Sequence, residues 1–177
     1  MLDIIEQIIK YYLQYKKSPT VNDLKIEDTQ LLEDKKALFV TLYKKGDIRG
    51  SSGCINGHKR PLISELIDNT VFALSKDSRF KPVELTEIED LKIRLDIIES
   101  REVLSDKKIA DLNPTKSGVL AIKKDFEKIA LILPNMHPVL ITGVDYIPVL
   151  KAKLGVKKFE ENEYMVFEII TQVERNF

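Results

Sequence analysis

Apolar residues recur at Leu2, Ile5, Ile9, Tyr12 and Leu13, a spacing of three and four that predicts an amphipathic helix. Asp3 and Glu6 near its start and Lys16 and Lys17 near its end suit the helix dipole, and Ser18-Pro19 predicts its stop. Residues 24–36 are polar and acidic and predict a connection. Residues 37–43, Ala-Leu-Phe-Val-Thr-Leu-Tyr, then predict a strand. Lys44-Lys45-Gly46-Asp47 predicts a hairpin turn, with the return strand opening at Ile48-Arg49-Gly50. After Pro61, which suits the first position of a helix, Leu62, Leu66, Ile67, Thr70, Val71 and Leu74 share one face. Leu91, Ile93, Leu95 and Ile97 alternate with Lys92, Arg94 and Asp96, which predicts a half-buried strand.

Residues 118–122 and 129–133 predict a second hairpin around a charged turn, and residues 144–154 a helix with Pro148 in its first turn and Gly155 closing it. Residues 164–173 predict a last strand. Helices and strands do not alternate regularly. The expected class is therefore α+β, a mainly antiparallel sheet flanked by helices, in a single domain over 1–177.

Composition narrows the function classes. Of the 177 residues, 44% are hydrophobic and 32% charged, which excludes wholesale disorder. Lys plus Arg and Asp plus Glu both number 28, so net charge gives no support for nucleic-acid or membrane-surface partners. A single cysteine rules out an intramolecular disulfide. Asp3 and Glu6 interrupt the N-terminal apolar run, against a signal peptide, and no run reaches the roughly 20 apolar residues of a membrane helix. The expected location is the cytoplasm.

The candidate chemistry gathers in residues 48–61, Ile-Arg-Gly-Ser-Ser-Gly-Cys-Ile-Asn-Gly-His-Lys-Arg-Pro. Glycines let backbone N–H groups converge on an oxyanion, serines add hydroxyl donors, and Arg49, Lys59, Arg60 and Arg79 supply charge. An anion cradle of Arg49, Gly50, Ser51, Ser52, Gly53, Cys54 and Arg79 is one reading. A conformational turn is the other, with Arg79 paired to Asp77 or bracing backbone carbonyls and Phe80 plugging the core. A Ser51, Ser52 or Cys54 nucleophile would need His58 or His137 as its base, and a metal would draw on Cys54, His58 and His137. Neither constellation is complete in sequence. Tyr11, Tyr12 and Tyr15 on the first helix offer either a ligand contact or, as the preferred reading, core and rim.

Five segments in order resemble the AMMECR-type domain family: Ile48-Arg49-Gly50-Ser51-Ser52-Gly53, then Asp77-Ser78-Arg79-Phe80-Lys81-Pro82-Val83, then Ile88-Glu89-Asp90-Leu91-Lys92-Ile93, then Gly118-Val119-Leu120-Ala121-Ile122, then Ala130-Leu131-Ile132-Leu133-Pro134. The family patterns are approximately Leu-Arg-Gly-Cys-Ile-Gly, Asp-Pro-Arg-Phe-Pro-Pro-Val, Glu-Leu-x-x-Leu-x-Ile-Glu-Val, Gly-Leu-x-Ile and Leu-Leu-Leu-Pro. Read without a gap, Ser51 and Ser52 stand at the family's cysteine and isoleucine; a three-residue insertion would instead align Cys54. The chain also has no Trp for the segment that often precedes the family's last strand. The resemblance implies a two-lobed α+β fold with a smaller second lobe and no particular reaction. Its implied partners are a Memo-like protein and a radical S-adenosylmethionine protein, in a metal- or radical-dependent modification system. Two function classes follow: a small-molecule or anion-binding protein, with or without catalysis, or a non-catalytic module that docks on a partner enzyme.

Overall fold

The protein's structure, a computed structural model, describes residues 1–56, 60–136 and 138–177. These divide into two compact units, Met1–Ile97 with Val173–Phe177, and Ile98–Gln172. Helix α1 (Leu2–Tyr15) buries Ile4, Ile5, Ile8, Ile9 and Leu13. It ends before Ser18-Pro19: Lys16 turns left-handed at φ 54° and returns its N–H to the Tyr12 carbonyl. The expected connection follows, with two short 3-10 turns.

Strands β1 (Leu38–Lys44) and β2 (Asp47–Gly53) form an antiparallel hairpin. Lys45 and Gly46 both have positive φ, the conformation that a two-residue hairpin loop requires. The hairpin is not regular. Leu42 faces Gly50 and Tyr43 faces Ile48, so Arg49 is the extra residue of a β-bulge. Helix α2 (Leu62–Ser75), with Pro61 just outside as its cap residue, buries more than the expected stripe. Ile63, Glu65, Asn69 and Ala73 join it, because α2 packs on β1, β2 and α1 at once.

Strand β3 (Leu91–Val103) runs beside β1 and extends past the expected 91–97. Leu38, Val40, Leu42, Leu91, Ile93, Leu95 and Ile97 meet α1 and α2 in one core. The alternation in β3 holds, but its meaning changes. Arg94 and Asp96, the residues expected on a solvent face, are 2% and 0% exposed. Their side chains form a two-pronged ion pair, Nε to Oδ2 at 2.7 Å and Nη2 to Oδ1 at 2.8 Å. Between Ile93 and Ile97 both faces of this strand are therefore buried, and one is polar.

In the second unit, the later part of β3 is followed by β4 (Gly118–Lys123), β5 (Ile129–Ile132), α3 (Tyr146–Leu154) and β6 (Tyr164–Arg175, which ends in the first unit). Strand order is β3-β6-β4-β5, and β4 pairs antiparallel with both neighbours. Leu150, Leu154 and the fully buried Tyr146 pack α3 on Val119, Ala121 and Ile132. The Tyr146 hydroxyl donates to the Ser117 carbonyl, and Gly155 closes α3 at φ 63°. The architecture is the expected α+β arrangement of antiparallel sheet and helices.

Candidate functional site

Alternation along β2 decides what residues 49–54 can do together. Successive side chains point to opposite faces of a strand. Gly50, Ser52 and Cys54 face α2. A Cβ on Gly50 would overlap the Ala73 carbonyl oxygen, so only glycine lets α2 lie this close. Ser52 Oγ donates to Asn69 Oδ1 at 2.9 Å, and Cys54 Sγ lies 3.8 Å from Glu65 Oε2. Ser51 turns the other way: its Oγ accepts from Arg79 Nη2 at 2.7 Å. The two serines therefore lie on opposite faces and do not converge on one oxyanion through their hydroxyls.

On the α2 face a buried carboxylate organises the contacts. Glu65, 2% exposed, accepts from Arg60 Nε and Nη2 at 3.2 and 2.9 Å, while Arg60 Nη1 reaches Asp68. Asn69 Nδ2 also donates to Glu65, at its backbone carbonyl and at Oε2. Burial and the neighbouring Glu65 both push the Cys54 thiol above its ordinary pKa, so the thiolate is disfavoured. Arg60, one of the expected anion donors, is engaged by carboxylates.

Two guanidinium–carboxylate pairs stand on the 77–87 side of β2. Arg49, aimed by the bulge, grips Glu87 with Nε and Nη2 at 2.9 and 2.8 Å. It also donates to the carbonyls of Lys81 and Pro82 at 2.9 and 3.3 Å. Glu87 further accepts from Lys44 and from the Glu84 N–H. These donors, Arg49 first, hold the Glu87 carboxyl down at about 2. The carbonyl-bracing role foreseen for Arg79 thus belongs to Arg49.

Arg79 pairs with Asp77, as the conformational-turn reading expects. Nε meets Oδ1 at 2.9 Å and Nη2 meets Oδ2 at 2.6 Å. The same carboxylate accepts the Ser51 N–H at 2.8 Å and the Arg79 N–H at 3.2 Å. The Ser51 amide is the outward-facing donor of an edge strand, and Asp77 caps it. Arg79 first, against the cost of burial, holds Asp77 at about 2. Asp77 is only 7% exposed, but the Arg79 side chain is 53% exposed. Phe80 lies half-buried beside that guanidinium, 5.2 Å from it, rather than plugging the core. The histidines weighed as base or ligand, His58 and His137, lie outside the described residues, as does Lys59. Among the described residues no group of three or more His, Cys, Asp or Glu is placed to hold a metal ion.

Glu65, Asn69 and Glu87 carry much of this geometry and were not singled out in sequence. A faint signal existed for each. Glu65 and Asn69 interrupt an apolar helix at a spacing of four, and Glu84-x-x-Glu87 has the spacing of a capping box, which the structure contains.

The model of the AMMECR1 family matches residues 2–171. The chain belongs to the AMMECR1 family. A Thermotoga maritima relative is 30% identical over 157 residues, 88% of this chain and 86% of that protein. A Methanothermobacter thermautotrophicus relative is 35% identical over 81 residues, covering 46% and 42% of the two chains. In fold, the chain is similar to the crystal structure of an uncharacterised Pyrococcus horikoshii protein, with a TM-score of 0.79 over 97% of this chain and 87% of that one. At 20% identity that likeness concerns the fold alone. The AMMECR1 motif stretch is therefore strand β2 itself, not a loop, and among the described residues no helix is long and apolar enough to cross a membrane.

Proposed function

We propose that this AMMECR1-family protein binds a small molecule through a carboxylate or phosphate group at the end of β2. The observation that carries the reading is the convergence on Asp77. One backbone N–H from β2, one from Arg79 and two guanidinium nitrogens already hold a negative charge at that point. Arg79 Nη1 makes no hydrogen bond among the described residues and belongs to a half-exposed side chain. In this reading an incoming oxyanion takes Nη1 and the Ser51 hydroxyl, sharing Arg79 with Asp77 or displacing it. Arg49 holds the strand, Gly50 lets α2 approach, Ser52 and Cys54 contact α2, and Gly53 leaves room for the Phe39 ring. The partners implied by the family, a Memo-like protein and a radical S-adenosylmethionine protein, would act on the bound molecule in a modification system.

Thermal melts with phosphate or acetate test the binding step. At about 100 times Kd a ligand adds about 2.7 kcal/mol, or roughly 5–10 °C in a chain this size. The shift is expected to vanish in Arg79→Ala and to persist in Asp77→Asn. An unchanged shift in Arg79→Ala sinks the reading.

A second reading, a non-catalytic docking module, is favoured by Val139, Ile141 and Val144 in the second unit, 71%, 76% and 58% exposed within six residues. Its test is co-purification under mild conditions. A partner lost on Ile141→Asp supports it, and the absence of any partner counts against it.

A further inference from the structure

Strand β2 is an edge of its sheet, with β1 on one side only. The Cys54 N–H bonds to the Leu38 carbonyl, which makes Val40–Ser52 and Leu42–Gly50 the hydrogen-bonded pairs of the hairpin. The backbone groups of Ser51 and Gly53 therefore point away from β1, and Asp77 takes the Ser51 N–H. Among the described residues, the Ser51 carbonyl and the Gly53 N–H and carbonyl have no hydrogen-bond partner, and both residues are only half-buried. A Cβ on Gly53 would lie 2.2 Å from the Phe39 ring, so that partly exposed ring borders the edge on the face of the Ser51 side chain. Toward Asp47 the edge is closed: the Asp77–Arg79 pair stands at Ser51, and Arg49 is held by Glu87 and the Lys81 and Pro82 carbonyls. The open stretch thus runs from Ser51 to Gly53, and a half-exposed guanidinium stands at its closed end.

We propose that the oxyanion bound at Arg79 is the C-terminal carboxylate of an extended peptide, which adds to β2 as a short antiparallel strand; this rests on the reading of Arg79 as an oxyanion site. An edge with unpaired backbone groups is a template for another chain. A chain laid along this one meets the Asp77–Arg79 pair at Ser51 and has to end there. Charge sets which end it is. Arg79 attracts a carboxylate and repels an ammonium, while Asp77 is already held by its donors. With its carboxylate at Arg79 and the Ser51 hydroxyl, the peptide runs antiparallel to β2. Its last residue donates its N–H to the Ser51 carbonyl. The third residue from the end exchanges both backbone bonds with Gly53. The side chain of that residue lies on the Phe39 face, where an apolar group covers the ring. The residue between them directs its N–H and carbonyl away from β2.

The test is titration of the intact chain with acetate and with acetyl-Leu-Ala-Ala as the free acid, followed by amide chemical shifts. The peptide acid is expected to saturate shifts at Ser51 and Gly53, at about a tenth of the acetate concentration. Its C-terminal amide is expected to bind about tenfold more weakly than the acid. In Arg79→Ala, at an exposed position, acid and amide are expected to bind alike. N-methylation reads the strand pairing. At the leucine it removes the donor to Gly53 and is expected to weaken binding several-fold; at the middle alanine, whose N–H points away, it is expected to change nothing. If acetate binds but the peptide acid binds no tighter, or leaves the Gly53 amide unmoved, the proposal fails while the oxyanion reading stands. If neither binds, both fail. Equal binding of the acid and its amide also overturns the proposal, since the edge then takes a strand without reading its terminus.

Discussion

Arg49 and Arg79 make the same bond and have opposite availability. Each grips a carboxylate with Nε and Nη2, and each holds that carboxylate near a pKa of 2. Arg49 is 17% exposed, and its remaining donors go to the Lys81 and Pro82 carbonyls. Arg79 is 53% exposed and keeps one nitrogen outward. A guanidinium whose donors are used inside the chain is a brace; one with a nitrogen to spare can receive a ligand. Two arginines that looked equivalent in sequence are separated by where their second nitrogen points.

Substitutions can break this comparison, and the buried pair of Arg94 and Asp96 sets its upper limit. Asp96→Ala leaves a guanidinium buried without its partner, and chemical denaturation should show a loss of about 3–5 kcal/mol. Arg49→Ala should cost about 2–3 kcal/mol, between the exposed and buried cases, and lower Tm by roughly 5–10 °C. If Arg49→Ala melts like the wild type, Arg49 is no brace.

Acid comes next. Glu87 drops from an ordinary 4.5 and Asp77 from 3.8, each to about 2. Carboxyls depressed by folding stabilise fully above their unfolded values, and that stability is lost as pH falls toward the folded ones. Melts between pH 5 and pH 2 should therefore show Tm falling from about pH 4.5 downward, and Glu87→Gln should flatten the upper part of that fall. Arg79→Ala should cost about 1–2 kcal/mol, since Asp77 is 7% exposed and keeps only the Ser51 and residue-79 N–H donors, while removing the phosphate or acetate shift. Ser51→Ala should be smaller still in stability, and its ligand shift should shrink without vanishing.

Much of the fold was legible because core periodicity is written locally. Leu62, Leu66, Ile67 and Leu74 on α2, and Leu91 to Ile97 on β3, face the core as their spacing says. What covers the other face is not written locally. Arg94 and Asp96 read as solvent-facing because alternation reports polarity, not exposure. The site was half legible for a similar reason. Asp77 and Arg79 are two residues apart, so their pairing could be foreseen. Glu87 is 38 residues from Arg49 and meets it only through the fold. The bulge at Arg49 leaves no mark in composition, yet it offsets the alternation by one and decides which serine faces Arg79.

Alternation gives positions at the end of β2 different electrostatic neighbours. Position 51 looks onto a guanidinium, and position 54 onto a carboxylate. Burial and Glu65 make the thiol at 54 a weaker acid than usual, whereas a side chain at 51 meets a guanidinium already paired to Asp77. The gapped and ungapped alignments of the motif are therefore not interchangeable. Along this strand, odd or even position sets which charges a side chain meets.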